Sequence, residues 1–149
     1  MEYGILYVDD EVHNLNSFKA SFRRDFSVYV AQSAKEARKI LDEHEIAVIV
    51  SDQRMPVTTG IEFLESIIPV YPDTIRMLMT GFSDIGAVMD AINRGQVYKY
   101  LVKPWQDDEL RMHLENAIEI YRLRRDNREL VNKLAQANQQ LNSLSKNSE

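Results

Sequence analysis

In the first part of the chain, five continuous runs of apolar residues alternate with segments in which apolar residues recur at helical spacing. This alternation limits the fold more than any other feature. The five runs, each of strand length, are Gly4–Val8, Ser27–Val30, Ile46–Val50, Ile75–Met79 and Val97–Val102. Strands that alternate with helices favour one parallel sheet, because each parallel connection needs a crossover, usually a helix. The sequence therefore predicts an α/β domain at residues 1–120, with a (βα)5 doubly wound parallel five-stranded sheet.

Capping and helix-ending residues mark the segments between these runs. Ser33 and Glu36 have the spacing of a capping box, which predicts that Ser33 begins the second helix. Ser83 is predicted to cap the fourth helix, and Gly95 to end it. The run at residues 46–50 has no polar side chain on either face, as in a central strand covered on both sides. Together these features favour a flavodoxin-like arrangement.

The C-terminal part of the chain lacks helix-breaking residues. Neither Gly nor Pro follows Trp105, and apolar residues continue at helical spacing from Leu110 to Leu144. This pattern predicts one long helix whose first turns cover the sheet, followed at residues 121–149 by a projecting coiled-coil linker that frays at its end. The a and d positions of its heptads, here called the heptad seam, are Ile120, Leu123, Asn127, Leu130, Leu134, Ala137, Leu141 and Leu144. Because bare leucines would forgo burial, we expect a homodimer joined by a parallel two-stranded coiled coil.

The composition of the chain excludes several kinds of site. The chain has no cysteine, which excludes disulfide scaffolds, thiolate zinc sites and cysteine nucleophiles, and its three histidines leave little for a histidine metal site. No apolar stretch approaches the roughly 18 residues of a membrane span. The net charge of −5 does not favour the basic surface that nucleic acids require. We therefore expect a cytoplasmic protein that binds neither nucleic acid directly nor a membrane.

Polar residues follow four of the five predicted strands at their carboxyl ends. They are Asp9 and Asp10, then Asp52, then Thr80 and Gly81, then Lys103 and Pro104. Ligands of doubly wound sheets bind outside these ends, so we expect these side chains to share one crevice. Three carboxylates in one crevice repel each other, and a hard cation such as Mg²⁺ (or Mn²⁺) would offset the repulsion. Asp52, alone on the central strand, is then the predicted nucleophile for phosphoryl transfer, with the Asp9 and Asp10 pair as metal ligands.

Four short segments have the order and spacing of a known signature. They are Val8–Glu11, Ser51–Pro56 followed by Gly60, Thr80–Gly81 and Tyr100–Pro104. Together they resemble the receiver domain of bacterial two-component response regulators, of the chemotaxis-regulator type, over residues 4 to about 118. The resemblance implies that Asp52 accepts a phosphoryl group from a sensor histidine kinase or a phosphotransfer protein. It also implies a signalling phosphoacceptor rather than an enzyme, with self-catalysed phosphorylation and autodephosphorylation only.

The same resemblance assigns roles to residues around Asp52. The implied metal ligands are Asp9, mainly through water, Asp10, Asp52 and the backbone carbonyl of Arg54. The implied phosphate-binding and switch residues are Thr80, Gly81, Tyr100 and Lys103. Tyr100 would turn inward when Thr80 moves, and the output would pass through the face of the fourth helix, fifth strand and fifth helix to the C-terminal helix. The Lys103–Pro104 peptide would be cis, and the side chains of Arg54 and Phe82 would flank the phosphoryl group and tune its lifetime.

Two alternative functions remain open at this point. A haloacid-dehalogenase-type phosphatase also forms an aspartyl phosphate, but that family has Asp-x-Asp after the first strand, whereas this chain has Asp9-Asp10-Glu11. A phosphorylation-independent dimerisation module would keep the receiver shell without its chemistry. We expect the chain to be a fragment whose effector domain, of unknown activity, follows the C-terminal helix.

Overall fold

The computed structural model describes residues 3–89 and 92–147 of the chain. Five parallel strands form one sheet in the order β2-β1-β3-β4-β5. The strands are β1 (Gly4–Val8), β2 (Ser27–Ala31), β3 (Ile46–Asp52), β4 (Ile75–Gly81) and β5 (Lys99–Lys103). The helices are α1 (Val12–Phe22), α2 (Ala34–Glu43), α3 (Gly60–Ile67), α4 (Ile85–Met89), α5 (Ile92–Gly95) and α6 (Asp107–Asn147). This architecture confirms the predicted α/β fold, with one parallel five-stranded sheet and a long C-terminal helix.

Apolar side chains pack on both faces of the sheet because successive residues of each central strand point to opposite sides. On one face, Tyr7 and Met77 pack with Phe18 of α1 and with the first turns of α6. On the other face, Leu6 packs with Leu64 of α3, among side chains from α2. The side chains of β1 and β3 are buried along the whole of both strands. The two hydrophobic cores therefore cover the central strands on both faces, and the polar side chains of β3 and β4 lie at or next to the strand ends.

The strand ends differ from those predicted from apolar runs. β3 and β4 continue to Asp52 and Gly81, two residues beyond the last apolar residue of each run, because parallel pairing continues there. β5 begins at Lys99 rather than at Val97. Val97 packs against one core cluster before the strand begins, and the Tyr98 N–H makes a separate bond of 2.7 Å to the carbonyl of Arg76. Hydrogen bonding, rather than hydrophobicity, sets these ends.

The predicted caps have different outcomes. Ser33 is the N-cap of α2, and its hydroxyl accepts from the Glu36 N–H at 3.2 Å, as predicted. The prediction for Ser83 is wrong, because Ser83 lies inside a 3-10 turn, Phe82–Asp84, whose N-cap is Gly81. β4 extends to Gly81, so the chain has to turn immediately, and the tighter 3-10 geometry precedes α4.

Helix α6 is 41 residues long and changes its surroundings along its length. Its first turns bury Leu110, Leu114 and Ala117 against the sheet, and Tyr121 is the last buried residue of the helix in the part of the chain that the structure describes. The division between a domain at residues 1–120 and a linker at 121–149 stays a prediction. Among the described residues, no helix combines the length and the apolar character needed to cross a membrane.

Candidate functional site

Three carboxylates meet at the carboxyl edge of the sheet. Asp9 and Asp10 directly follow β1, and Asp52 is the last residue of the adjacent strand β3. Each offers one oxygen, and these oxygens lie within 4.8 Å of one another. Asp9 is fully buried and Asp52 nearly so, whereas Asp10 is exposed at the mouth of the site. Oxygen ligands of this number and spacing fit a hard divalent cation such as Mg²⁺, which takes carboxylates and keeps some of its waters.

Lys103, the last residue of β5, connects two of the carboxylates. Its Nζ lies 3.0 Å from Oδ1 of Asp52 and 3.2 Å from Oδ2 of Asp9. Burial by itself lowers the pKa of the ammonium, but the hydrogen bond and charge of Asp52, together with Asp9, outweigh burial and raise the pKa of Lys103 above its ordinary value. Lys103 is therefore a permanent positive charge next to Asp52.

The protein shifts the pKa values of the two buried carboxyl groups, Asp52 and Asp9, in opposite directions. Burial, together with the charges of Asp9 and Asp10, raises the pKa of Asp52 to about 6, although Lys103 opposes that rise. For Asp9 burial acts in the same direction, but hydrogen bonds from the Glu11 N–H and the Tyr7 hydroxyl, with Lys103, outweigh it and lower its pKa. Asp52 is thus a destabilised carboxylate that a cation would stabilise, and Asp9 is already satisfied by the protein.

Thr80 and Gly81 complete the site from β4. Thr80 is buried, and its hydroxyl lies 3.5 Å from the carbonyl of Gly81, at the limit of a hydrogen bond. Both residues line an open cavity of about 280 Å³ together with Asp10, Asp52 and Lys103. A Cβ added at Gly81 would meet no atom closer than 3.6 Å, so glycine is not required there for steric reasons.

The loop after Asp52 is held by Gln53 and Gly60. The Gly60 N–H donates to the carbonyl of Gln53 at 3.0 Å, and the Ile61 N–H donates to the Gln53 side chain at 3.0 Å. A Cβ at Gly60 would lie 2.4 Å from the carbonyl oxygen of Asp52. Only glycine therefore lets α3 begin this close to Asp52, which explains its place in the sequence signature. Sequence reasoning did not single out Gln53.

Of the other residues proposed from the sequence, Arg54 lines the cavity of the site, whereas Tyr100, Phe82 and Pro104 do not. Tyr100 is 40% exposed on β5, opposite Leu78, and does not line the cavity. The Lys103–Pro104 peptide bond is cis. Phe82 is exposed. The guanidinium of Arg54 lies 2.5 Å from Asp84, and both of these residues line the cavity.

Sequence reasoning missed the residues that hold Asp9. The Tyr7 hydroxyl donates to Oδ2 of Asp9 at 2.7 Å, and Nδ2 of Asn14 donates to the same oxygen at 3.0 Å. The available signal was a tyrosine inside an otherwise aliphatic buried strand, two residues before Asp9 and hence on the same face. A buried tyrosine needs a partner for its hydroxyl, and the adjacent carboxylate is the nearest one.

Most of the heptad seam is exposed on α6. Leu123, Leu130, Leu134, Leu141 and Leu144 are each more than half exposed. Ile120 differs, because it is partly buried against the core of the domain. The opposite face of the helix contacts the domain through Tyr121, Arg125 and Arg128.

Comparisons with known proteins agree with this geometry. Residues 5–115 match the family described as response regulator receiver domain. The hydrogenase transcriptional regulatory protein HoxA of Bradyrhizobium diazoefficiens is 35% identical over 122 residues, which are 82% of this chain and 25% of that protein. The transcriptional regulatory protein ZraR of Escherichia coli is 30% identical over 115 residues, 76% of this chain and 26% of that protein. The chain thus spans about a quarter of the length of these curated relatives.

Solved structures give the same result. The signal receiver domain of an HD domain-containing protein from Pseudomonas fluorescens is 32% identical, with a TM-score of 0.78 over 84% of this chain and 93% of that one. A response regulator receiver domain protein from Clostridium thermocellum is 29% identical, with a TM-score of 0.74 over 81% of this chain and 98% of that one. On the family match, the sequence relatives and the fold, this chain belongs to the response regulator receiver domains of two-component signalling systems.

Proposed function

We propose that Asp52 accepts a phosphoryl group from a sensor histidine kinase or a phosphotransfer protein, with Mg²⁺ (or Mn²⁺) as cofactor. The observation that carries the proposal is the position of Lys103, whose ammonium lies 3.0 Å from Asp52. Carboxylate oxygens of Asp9 and Asp10 lie within 4.8 Å of an oxygen of Asp52. Phosphoryl transfer depends mostly on positioning and on neutralising charge, and this arrangement supplies both. Receiver domains of this family are signalling phosphoacceptors rather than enzymes.

The proposed step is an in-line displacement at phosphorus. A carboxylate oxygen of Asp52 forms the new P–O bond, and the bond from phosphorus to the donor's histidine nitrogen, or to the oxygen of a small phosphodonor, breaks with its electron pair. Lys103 and Thr80 would bind oxygens of the transferred group. Asp10, Asp52 and the Arg54 carbonyl, with Asp9 acting through water, would hold the metal, which would supply charge neutralisation at the same oxygens.

Intact-mass measurement with acetyl phosphate and Mg²⁺ tests this proposal. We expect one added phosphoryl group on the parent protein and none on Asp52→Asn or on Asp10→Asn. Asp126→Asn, an exposed Asp on α6, is the matched control and should behave as the parent. An equal mass gain in Asp52→Asn would overturn the assignment of the acceptor.

We further propose that phosphorylation acts on the face formed by α4, α5, β5 and α6. Thr80 lines the cavity, while Tyr100 is exposed on the adjacent strand β5, so movement of Thr80 toward a phosphoryl group would open space for Tyr100. Such a loop is a two-state element that new hydrogen bonds would bias. Amide chemical shifts on adding beryllofluoride should change along β5 as well as near Asp52. Changes restricted to the acidic cavity would contradict this route.

We propose a homodimer through the heptad seam, supported by the direction in which the seam faces. Leu123 and Leu130 each follow a domain-contacting residue, Tyr121 and Arg128, by two positions, which is about 200° around a helix. The seam therefore lies on the side of α6 away from its own domain, where its leucines are exposed to a second copy. Asn127, two positions after Arg125, lies on the same side and would favour two strands in register.

The alternatives are weighed by the same observations. The family match leaves the haloacid-dehalogenase-type phosphatase without support. A dimerisation module that needs no phosphorylation would be indicated if the parent protein gains no phosphoryl group in the mass experiment. The effector domain and the cytoplasmic location stay predictions.

A further inference from the structure

A tyrosine reaches the acidic site from inside the protein. Tyr7 lies on β1, and its ring is fully buried, stacked on Phe18 with ring centroids 4.4 Å apart and edge-on to Trp105 at 5.9 Å. These contacts fix the ring, so the position of its hydroxyl is fixed as well. The hydroxyl donates to Oδ2 of Asp9 at 2.7 Å, the shortest hydrogen bond that this carboxylate receives.

The hydrogen-bonding capacity of Asp9 is largely used by the protein. Oδ2 accepts from Tyr7, from Asn14 at 3.0 Å and from Lys103 at 3.2 Å, and Oδ1 accepts from the Glu11 N–H at 3.0 Å. A carboxylate has about four lone-pair positions. Direct ligation of the metal would then fall to Asp10, which is exposed, and to Asp52.

We infer that Tyr7 is a positioning residue for phosphoryl transfer. Its hydroxyl keeps Asp9 directed toward the protein and weakens the attraction of Asp9 for Lys103. The inference rests on the proposed function. Without the Tyr7 hydroxyl, the negative charge of Asp9 would be shared among fewer donors. Asp9 would then draw Lys103 away from Asp52, and it would be freer to contribute to cation binding.

Two opposite changes are expected in Tyr7→Phe. Mg²⁺ affinity, measured by isothermal titration calorimetry, should rise about fivefold, because a carboxylate that has lost a hydrogen bond of this kind is a stronger ligand. The rate of phosphorylation by acetyl phosphate at saturating Mg²⁺, followed by intact mass, should fall by a similar factor of about five, because Lys103 is then less available to the phosphoryl group. A variant that merely loosens the site would weaken both binding and rate.

Tyr29→Phe is the matched control, since it removes a tyrosine hydroxyl from the neighbouring strand β2 without touching the site. Asn14→Ala removes a second donor to Asp9 from the surface of α1 and should shift both quantities in the same directions, by less. It keeps the inference testable if Tyr7→Phe fails to fold, as judged by circular dichroism.

The outcomes separate this inference from the proposed function. A parent protein that neither binds Mg²⁺ nor gains a phosphoryl group contradicts the proposed function itself. A parent that does both, with Tyr7→Phe indistinguishable from Tyr29→Phe, overturns the role of Tyr7. Loss of both Mg²⁺ affinity and rate in Tyr7→Phe also overturns it, because that result indicates structural support alone.

Discussion

Asp52 carries an energetic cost in the metal-free protein. Its pKa of about 6 lies above the ordinary 3.8, so the folded state holds this proton more tightly than the unfolded chain does. Stability from this group is therefore fully present below about pH 4 and is lost as pH rises through 6. This difference in pKa between the folded and the unfolded state corresponds to at most about 3 kcal/mol of stability.

Asp52→Asn should consequently raise the free energy of unfolding at pH 7 in the absence of metal, by about 1 to 3 kcal/mol. The gain should shrink toward pH 4, where the parent carboxyl is protonated. Added Mg²⁺ should stabilise the parent more than the variant. Urea unfolding at both pH values, with and without Mg²⁺, measures these differences. A gain equal at both pH values would show that charge is not its cause; Asp126→Asn provides the baseline.

Gly60 is required by the close approach of α3 to Asp52. Gly60→Ala would place a Cβ 2.4 Å from the Asp52 carbonyl and 2.9 Å from Cδ1 of Leu78, so the backbone must move. We expect a loss of stability of about 1 to 3 kcal/mol and slower phosphorylation. Gly86→Ala meets no atom within 4 Å and should be neutral or slightly stabilising in α4. Equal unfolding midpoints for the two variants would contradict this explanation.

At the scale of helices and strands, the sequence predicted the order of these elements better than the residues at which they begin and end. Apolar runs located all five strands, because burial of their side chains determines where strands form. They could not locate the polar ends of β3 and β4, where backbone pairing continues through Asp52 and Gly81. Ser83 was assigned by residue preference alone, which does not register how tightly the chain turns after β4.

Within the site, the sequence predicted which strand ends supply charge but not how the charges are arranged. Asp9 and Asp10 are neighbours in sequence, yet one is buried and the other exposed. The donors to Asp9 come from α1, from β5 and from inside the sheet, so only the packed structure identifies them. Tyr7 is the exception, because a tyrosine inside an aliphatic strand, two residues before Asp9, already indicates a partner for its hydroxyl.

The seam of α6 carries a prediction about self-association. Each buried leucine would stabilise a dimer by roughly 1.5 to 3 kcal/mol, and the leucines of the seam are more than half exposed in the single chain. Sedimentation equilibrium at micromolar concentration should reveal a dimer that the double variant Leu130→Asp, Leu134→Asp converts to monomer. The double control Asn132→Asp, Ala135→Asp adds the same charges off the seam and should remain dimeric. A parent that is monomeric at hundreds of micromolar would refute the coiled coil.

In the molecule as a whole, α6 is joined to the sheet edge opposite the acidic site. Glu45, just before β3, accepts from the Tyr121 hydroxyl at 2.9 Å and pairs with Arg125 at 3.2 Å. Arg128 pairs with Asp73, just before β4, at 2.8 Å. These contacts hold the helix against the domain beyond the last buried turn, so the domain and the start of the projecting segment should behave as one body.

Glu45→Ala should loosen this attachment, because it removes one acceptor that serves both Tyr121 and Arg125. Amide hydrogen exchange should become severalfold faster at residues 118–128, while α1 and the central strands stay protected. Glu43→Ala, at the exposed end of α2, is the matched control. Unchanged exchange in Glu45→Ala would mean that the attachment of this segment does not depend on Glu45.

The unbroken course of α6 past Arg128 couples linker length to direction. Each residue added there advances whatever follows by about 1.5 Å and turns it by about 100°. Seven added residues leave a following segment nearly in phase with the domain, whereas two turn it to the opposite side. A two-residue insertion after Arg128 should therefore misdirect any attached output while Asp52, at the far edge of the sheet, remains fully able to be phosphorylated.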